Sequence, residues 1–141
     1  MDLSYQEKSI LGTFLAMVVV FGAYFASVVR DISRTGFDGS VSGIVGRLVM
    51  AVVAIVVIEI VYHIVLALES EPEAKDERDI MIDGKAYRNA YFTFASGAFL
   101  VMCCIVLKFT PFVTVNLVLL VMIAAELVHF LTQLFYYRRG F

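Results

Sequence analysis

The chain has 141 residues, of which 61% are hydrophobic and 17% charged, with a net charge of −2 and a mean hydropathy of +0.89. Soluble domains sit near ~45–50% apolar and ~25% charged, so one water-bounded core of this size cannot hide so much apolar side chain, and a hydrocarbon solvent is required. No basic field is present to attract nucleic acid, and the only cysteines, the adjacent Cys103 and Cys104, exclude a disulfide framework and a Cys/His zinc cluster.

Four apolar runs follow in chain order. Residues 9–29 contain 21 positions without a charge; residues 48–68 contain 21, interrupted by Glu59; residues 89–107 contain 19; residues 113–137 contain 25, interrupted by Glu126. A crossing needs roughly 20 residues at 1.5 Å rise each. Backbone polar groups in lipid must be satisfied within the segment, so each run is read as a helix. The spans are placed at about 9–29, 44–68, 87–107 and 113–137. The first is expected to be retained as a span. Asp2 and Glu7 against Lys8 make a poor signal-peptide flank, and the apolar run exceeds a usual h-region. The two cysteines are expected to be free and buried on span three.

Four spans return both termini to one side. That side carries Lys8, Lys75, Arg78, Lys85, Arg88, Arg138 and Arg139, against Arg30, Arg34, Arg47 and Lys108 on the other. Cations concentrate on the cytoplasmic face of the inner membrane, so both termini and the central 69–86 loop are expected there. The first loop, with Asp31, Gly36, Asp38 and Gly39, reads as polar and irregular, and the short third connection with Pro111 makes spans three and four an antiparallel hairpin.

The central loop has more grammar. Ser70 and Glu73 have capping-box spacing, Pro72 suits a first turn, and Glu71, Lys75 and Asp79 fall at four-residue intervals. These features predict a short cytoplasmic amphipathic helix over about 71–82, broken at Asp83 and Gly84 before span three. Seven acids and four bases lie between Glu69 and Arg88. They form either a solvated, self-paired surface or a docking surface for a cytoplasmic protein, with Asp76, Glu77, Arg78, Asp79 and Arg88 its candidate contacts.

The segment Asp76, Glu77, Arg78, then Ile82, Lys85 and Ala86, then Tyr87 to Tyr91 resembles a family of small, uncharacterised prokaryotic four-span membrane proteins. Their signature is a D-E-R-x-x-x-I stretch running into an Arg/Asn/Tyr-rich helix start. The resemblance is specific over about 16 residues. It implies the four-span layout and a regulatory context beside small helix-turn-helix regulators, and it implies no reaction.

Within the spans, Glu59 and His63 lie four residues apart, and Glu126 and His129 three apart, so each pair occupies one helical face. A mid-bilayer carboxylate costs at least ~2.5–3.5 kcal/mol, which predicts that both acids face inward or toward a subunit contact. Several readings stand side by side: structural hydrogen bonds that fix helix register; convergence of all four residues on a transition metal or other cation; ligation of one haem b by His63 and His129; and proton movement through the glutamates. Spans one–two and three–four look like a loose duplicate, whose axis along the membrane normal would bring the two pairs together. Small residues at Gly12 and Ala16, Gly22 and Ala26, Ser42 and Gly46, and Ala95 to Ala98 permit close helix packing, with a homodimer face on span one as the alternative use.

The expected molecule is therefore all-α: an integral membrane antiparallel four-helix bundle with the lipid bilayer as its first partner. It has no nucleophile–base set and no phosphate loop, so a non-enzymatic accessory role is expected.

Overall fold

The computed structural model describes residues 4–37, 41–69, 74 and 76–139. Its regular structure is entirely helical: α1 (Tyr5–Thr35), α2 (Val41–Glu69), α3 (Glu77–Val106) and α4 (Pro111–Arg139). At 1.5 Å per residue each helix is roughly 45 Å long, which exceeds the ~30 Å of a bilayer core. All four are apolar enough to cross a membrane.

Local chemistry sets the ends. Ser4 caps α1 reciprocally with Glu7, whose backbone N–H donates to the Ser4 hydroxyl while its carboxylate accepts from the Ser4 N–H. The helix then runs through the polar residues 30–35, where an irregular loop was expected. Ser33 and Thr35 turn their hydroxyls onto the carbonyls of Val29 and Asp31, and the helix stops only at Gly36, whose φ of 70° suits glycine.

α3 starts at the Asp76 cap, paired with Asp79 in the same reciprocal way. It does not break at Asp83 and Gly84, so residues 77–82 are its first turns and not a separate helix. Ile82 and Ala86 are fully buried, and this packing outweighs the ~1 kcal/mol helix penalty of a glycine between them. The predicted cap at Ser70, with Pro72, Glu73 and Lys75, lies outside the described residues. Between α3 and α4 the chain turns through Lys108 at φ 60°. Pro111 opens α4 where no intrahelical N–H is needed, and the Thr110 hydroxyl accepts from Val113 N–H at 3.4 Å.

α3 and α4 make the most extensive helix pair, and α1 packs on both α2 and α4. α2 touches α4 slightly, and α2 and α3 do not pack together among the described residues. The spatial order is therefore α2, α1, α4, α3. A core of Phe21, Tyr24, Val28, Ile44, Ala51 and Phe112 fills one half of the α1–α2–α4 contact. Tyr24 donates to Asn116 Oδ1 at 3.1 Å, and Asn116 Nδ2 donates to the Phe112 carbonyl at 2.8 Å. Arg47 of α2 bonds the Asp31 carboxylate and the Ser27 hydroxyl of α1. At the opposite end Tyr62 lies over Gly12 and donates to the Lys8 carbonyl at 2.6 Å. Only Ile44, Ala51 and Leu66 of α2 are buried. A helix this apolar on every side is stable in lipid and not in water. Cys103 and Cys104 are free, as expected, but only partly buried.

Candidate functional site

A polar ladder joins α3 and α4 near the chain termini. Asp79, Asp83 and Tyr87 repeat every four residues along one face of α3; Tyr137, Gln133 and His129 repeat the same interval in reverse along α4. The repeats meet rung by rung. Tyr137 donates to Asp79 Oδ1 at 2.6 Å. Gln133 Nε2 donates to Asp83 Oδ1 at 2.5 Å. The Tyr87 and His129 rings stack at 4.3 Å with 31° between their planes.

α1 faces this ladder with Gln6, Ser9 and Thr13, one turn apart, and the three helices enclose a cavity of about 240 Å³. Gln133 is 6% exposed, and its Oε1 is buried without a hydrogen-bond partner among the described residues. Such an acceptor costs about 1–3 kcal/mol; the cavity itself is lined by the polar side chains of Gln6, Ser9, Thr13, Asp83, His129, Gln133 and Tyr137, which suit a water, a small cation or a proton carrier. Its mouth continues into a second recess shared through Gln6 and Tyr137 and bordered by Glu7, Asp76, Arg78 and Asp79.

The two Glu–His pairs occupy different environments. Glu59 turns onto α1: Thr13 donates to its Oε2 at 2.8 Å, and His63 Nε2 lies 3.2 Å from the same atom. The Glu59 side chain is 22% exposed and its Oε1 is buried without a hydrogen-bond partner among the described residues. His129 is also inward, with 10% side-chain exposure, against Tyr87 and the cavity. Glu126 points the other way. Its side chain is 56% exposed and 3.9 Å from His129 Nδ1, beyond hydrogen-bond reach. Of the two placements expected for the acids, inward or toward a subunit contact, Glu59 takes the first, and Glu126 faces outward from the single chain. A three-residue step rotates Glu126 about 60° from His129, which is enough to take it past the α3 contact into the lipid-side groove.

Nor do the four residues converge. Glu59 reaches α1, where Thr13 donates to it, while His129 and Glu126 border α3. Among the described residues no group of three His, Cys, Asp or Glu side chains is placed to hold a metal.

The residues expected to dock a partner are partly taken up by the fold. Asp76 caps α3. Asp79 accepts from Tyr137, and Arg78 donates to the Tyr137 carbonyl at 3.3 Å with its guanidinium 6.0 Å over the ring. Glu77 and Arg88 are exposed. Ile82, the last residue of the D-E-R-x-x-x-I stretch, is buried, and Lys85 lies 4.9 Å above Tyr136. The stretch therefore fastens the start of α3 to the end of α4.

Asp83, Tyr87, Gln133, Tyr137 and Thr13 are not among the site residues expected from the sequence, where Asp83 reads as a helix break and Tyr87 as part of the 76–91 segment. The available signal was the four-residue polar interval 129, 133, 137 inside an apolar run, mirrored by 79, 83, 87. No family model, curated protein or solved structure matches the chain.

Proposed function

We propose that this chain is a non-enzymatic accessory or regulatory protein of the cell membrane. It is an antiparallel four-helix bundle with both termini and the 69–86 segment on the cytoplasmic side, and it presents that segment to a cytoplasmic protein. The observation that carries the reading is the polar ladder. It holds Arg78 and Asp79 against the end of α4 at the mouth of a cavity that favours a small cation or a proton. A change of occupant at Asp83, His129 and Gln133 is one to two helical turns from Asp79, and so alters how Glu77 and its neighbours are held. The packed Phe21 and Tyr24 core, farther along α1 than the cavity, supports a one-sided binding role over conduction. Seven cations against four support the orientation. The proton-handling alternative draws on the same cavity together with the Thr13, Glu59 and His63 cluster. The metal version has no group of three His, Cys, Asp or Glu side chains to draw on among the described residues.

Two measurements test the proposal. With Cys103 and Cys104 replaced by Ala, Met81→Cys should react with a membrane-impermeant maleimide in inverted vesicles and not in right-side-out ones; the reverse pattern overturns the orientation. A photo-crosslinking side chain at position 77 should then give a discrete adduct in cells that weakens in Tyr137→Phe. Adducts indistinguishable from those of a lipid-facing probe at Val57 would refute presentation of the segment.

A further inference from the structure

On the far side of the Tyr87 and His129 pair from the cavity, α3 and α4 form a separate groove of about 330 Å³. Its floor is opened by Ala90 and Ala125, its walls carry Tyr87, Tyr91 and Phe94, and Glu126 stands at its edge. We propose that this groove is a binding site for a lipophilic organic monocation, such as a tertiary or quaternary ammonium with an apolar body, entering from the bilayer. The site goes beyond the cytoplasm-side cavity and does not depend on it.

Charge and depth select this ligand class. Glu126 is 15 residues from the first residue of α4 and 13 from the last, so it lies roughly 20 Å from either helix end. The one basic group recorded beside its carboxylate among the described residues is His129 Nδ1 at 3.9 Å, outside hydrogen-bond distance. An intramembrane acid placed in a concave apolar site calls for a cationic partner. Strongly hydrated ions would lose their water shell against walls whose only further side-chain oxygens among the described residues are the Tyr87 and Tyr91 phenols. A weakly hydrated ammonium loses little, and the three aromatic rings attract it through their faces. Tyr91 is 67% exposed and Phe94 45%, so both rings are available to a ligand at the groove surface, and Ala90 and Ala125 leave room for its apolar body.

The test uses the full chain purified in detergent and radiolabelled benzyltrimethylammonium as the probe. Its neutral isostere, neopentylbenzene, replaces the ammonium nitrogen with carbon. Saturable binding of the cation is expected, with no competition from the isostere at equal concentration. Glu126→Gln should abolish binding. Tyr91→Ala should weaken it at least tenfold and Tyr91→Phe should restore it, because the ring is the contact. Phe99→Ala removes a lipid-facing aromatic outside the groove and should change nothing. Circular dichroism and gel filtration establish that Glu126→Gln is folded; if it is not, the Tyr91 pair alone decides. No saturable binding, equal competition by the isostere, or binding unaffected by both Glu126→Gln and Tyr91→Ala overturns the proposal. So does efficient disulfide crosslinking of Phe94→Cys between two chains that the cation fails to inhibit, which would assign the groove to a second copy.

Discussion

Replacing Gly97 by alanine isolates close helix packing as a source of stability. An ideal Cβ built at Gly97 falls 2.4 Å from Val121 Cγ1, 2.7 Å from Cγ2 and 3.1 Å from Cβ. The obstacle is β-branched and stiff at χ1, and with its Cβ already this close, no rotamer clears the space. α3 and α4 must therefore separate along their most extensive contact. The same methyl at Gly22 meets nothing within 4 Å. Alanine in place of a helical glycine contributes about 0.5–1 kcal/mol from backbone entropy, and this gain is common to both variants. Overpacking at Gly97 costs about 1–3 kcal/mol. Gly97→Ala should consequently be less stable than Gly22→Ala by that same ~1–3 kcal/mol, with Gly22→Ala at or above wild type. Unfolding in mixed micelles by titration with sodium dodecyl sulfate, followed by far-ultraviolet circular dichroism, measures the difference. Equal midpoints would refute the close α3–α4 approach. A destabilised Gly22→Ala would show that this face of α1 meets a second chain.

Two further outcomes follow from the packing and can be read in the same assay. Ile82→Ala removes a fully buried side chain and should cost about 2–5 kcal/mol, whereas Ile80→Ala, 62% exposed two residues away, should stay within about 0.5 kcal/mol of wild type. A double-mutant cycle of Tyr24→Phe and Asn116→Leu should return a coupling of about 0.6–1.7 kcal/mol for a hydrogen bond between membrane helices; additive effects would mean that the 3.1 Å contact contributes nothing.

The class of molecule was legible without coordinates because a hydrocarbon solvent reduces the choice to one rule: some twenty apolar residues in a row form a helix. That rule located all four helices, and the Pro111 connection announced the α3–α4 hairpin. It did less well where two local signals competed. Asp83 and Gly84 resemble a helix break, yet the chain continues as helix because Ile82 and Ala86 are buried on α4, and a local reading has no access to that contact. The polar residues 30–35 likewise look like a loop until Ser33 and Thr35 find carbonyls within their own helix.

The amino-acid order alone determined how many apolar helices exist and that Glu59 with His63 and Glu126 with His129 each share a helical face; that the D-E-R-x-x-x-I stretch opens α3, and not a separate helix, came from the structure. Tertiary structure alone decided which neighbour each face meets. Glu59 is held by Thr13 of α1, while His129 and Glu126 border α3. The register of α3 against α4 sets Asp79, Asp83 and Tyr87 opposite Tyr137, Gln133 and His129, and leaves Glu126 in the lipid-side groove. Helical periodicity assigns residues to faces, but a face becomes a cavity wall, a seam or a lipid surface only when another helix arrives or fails to arrive.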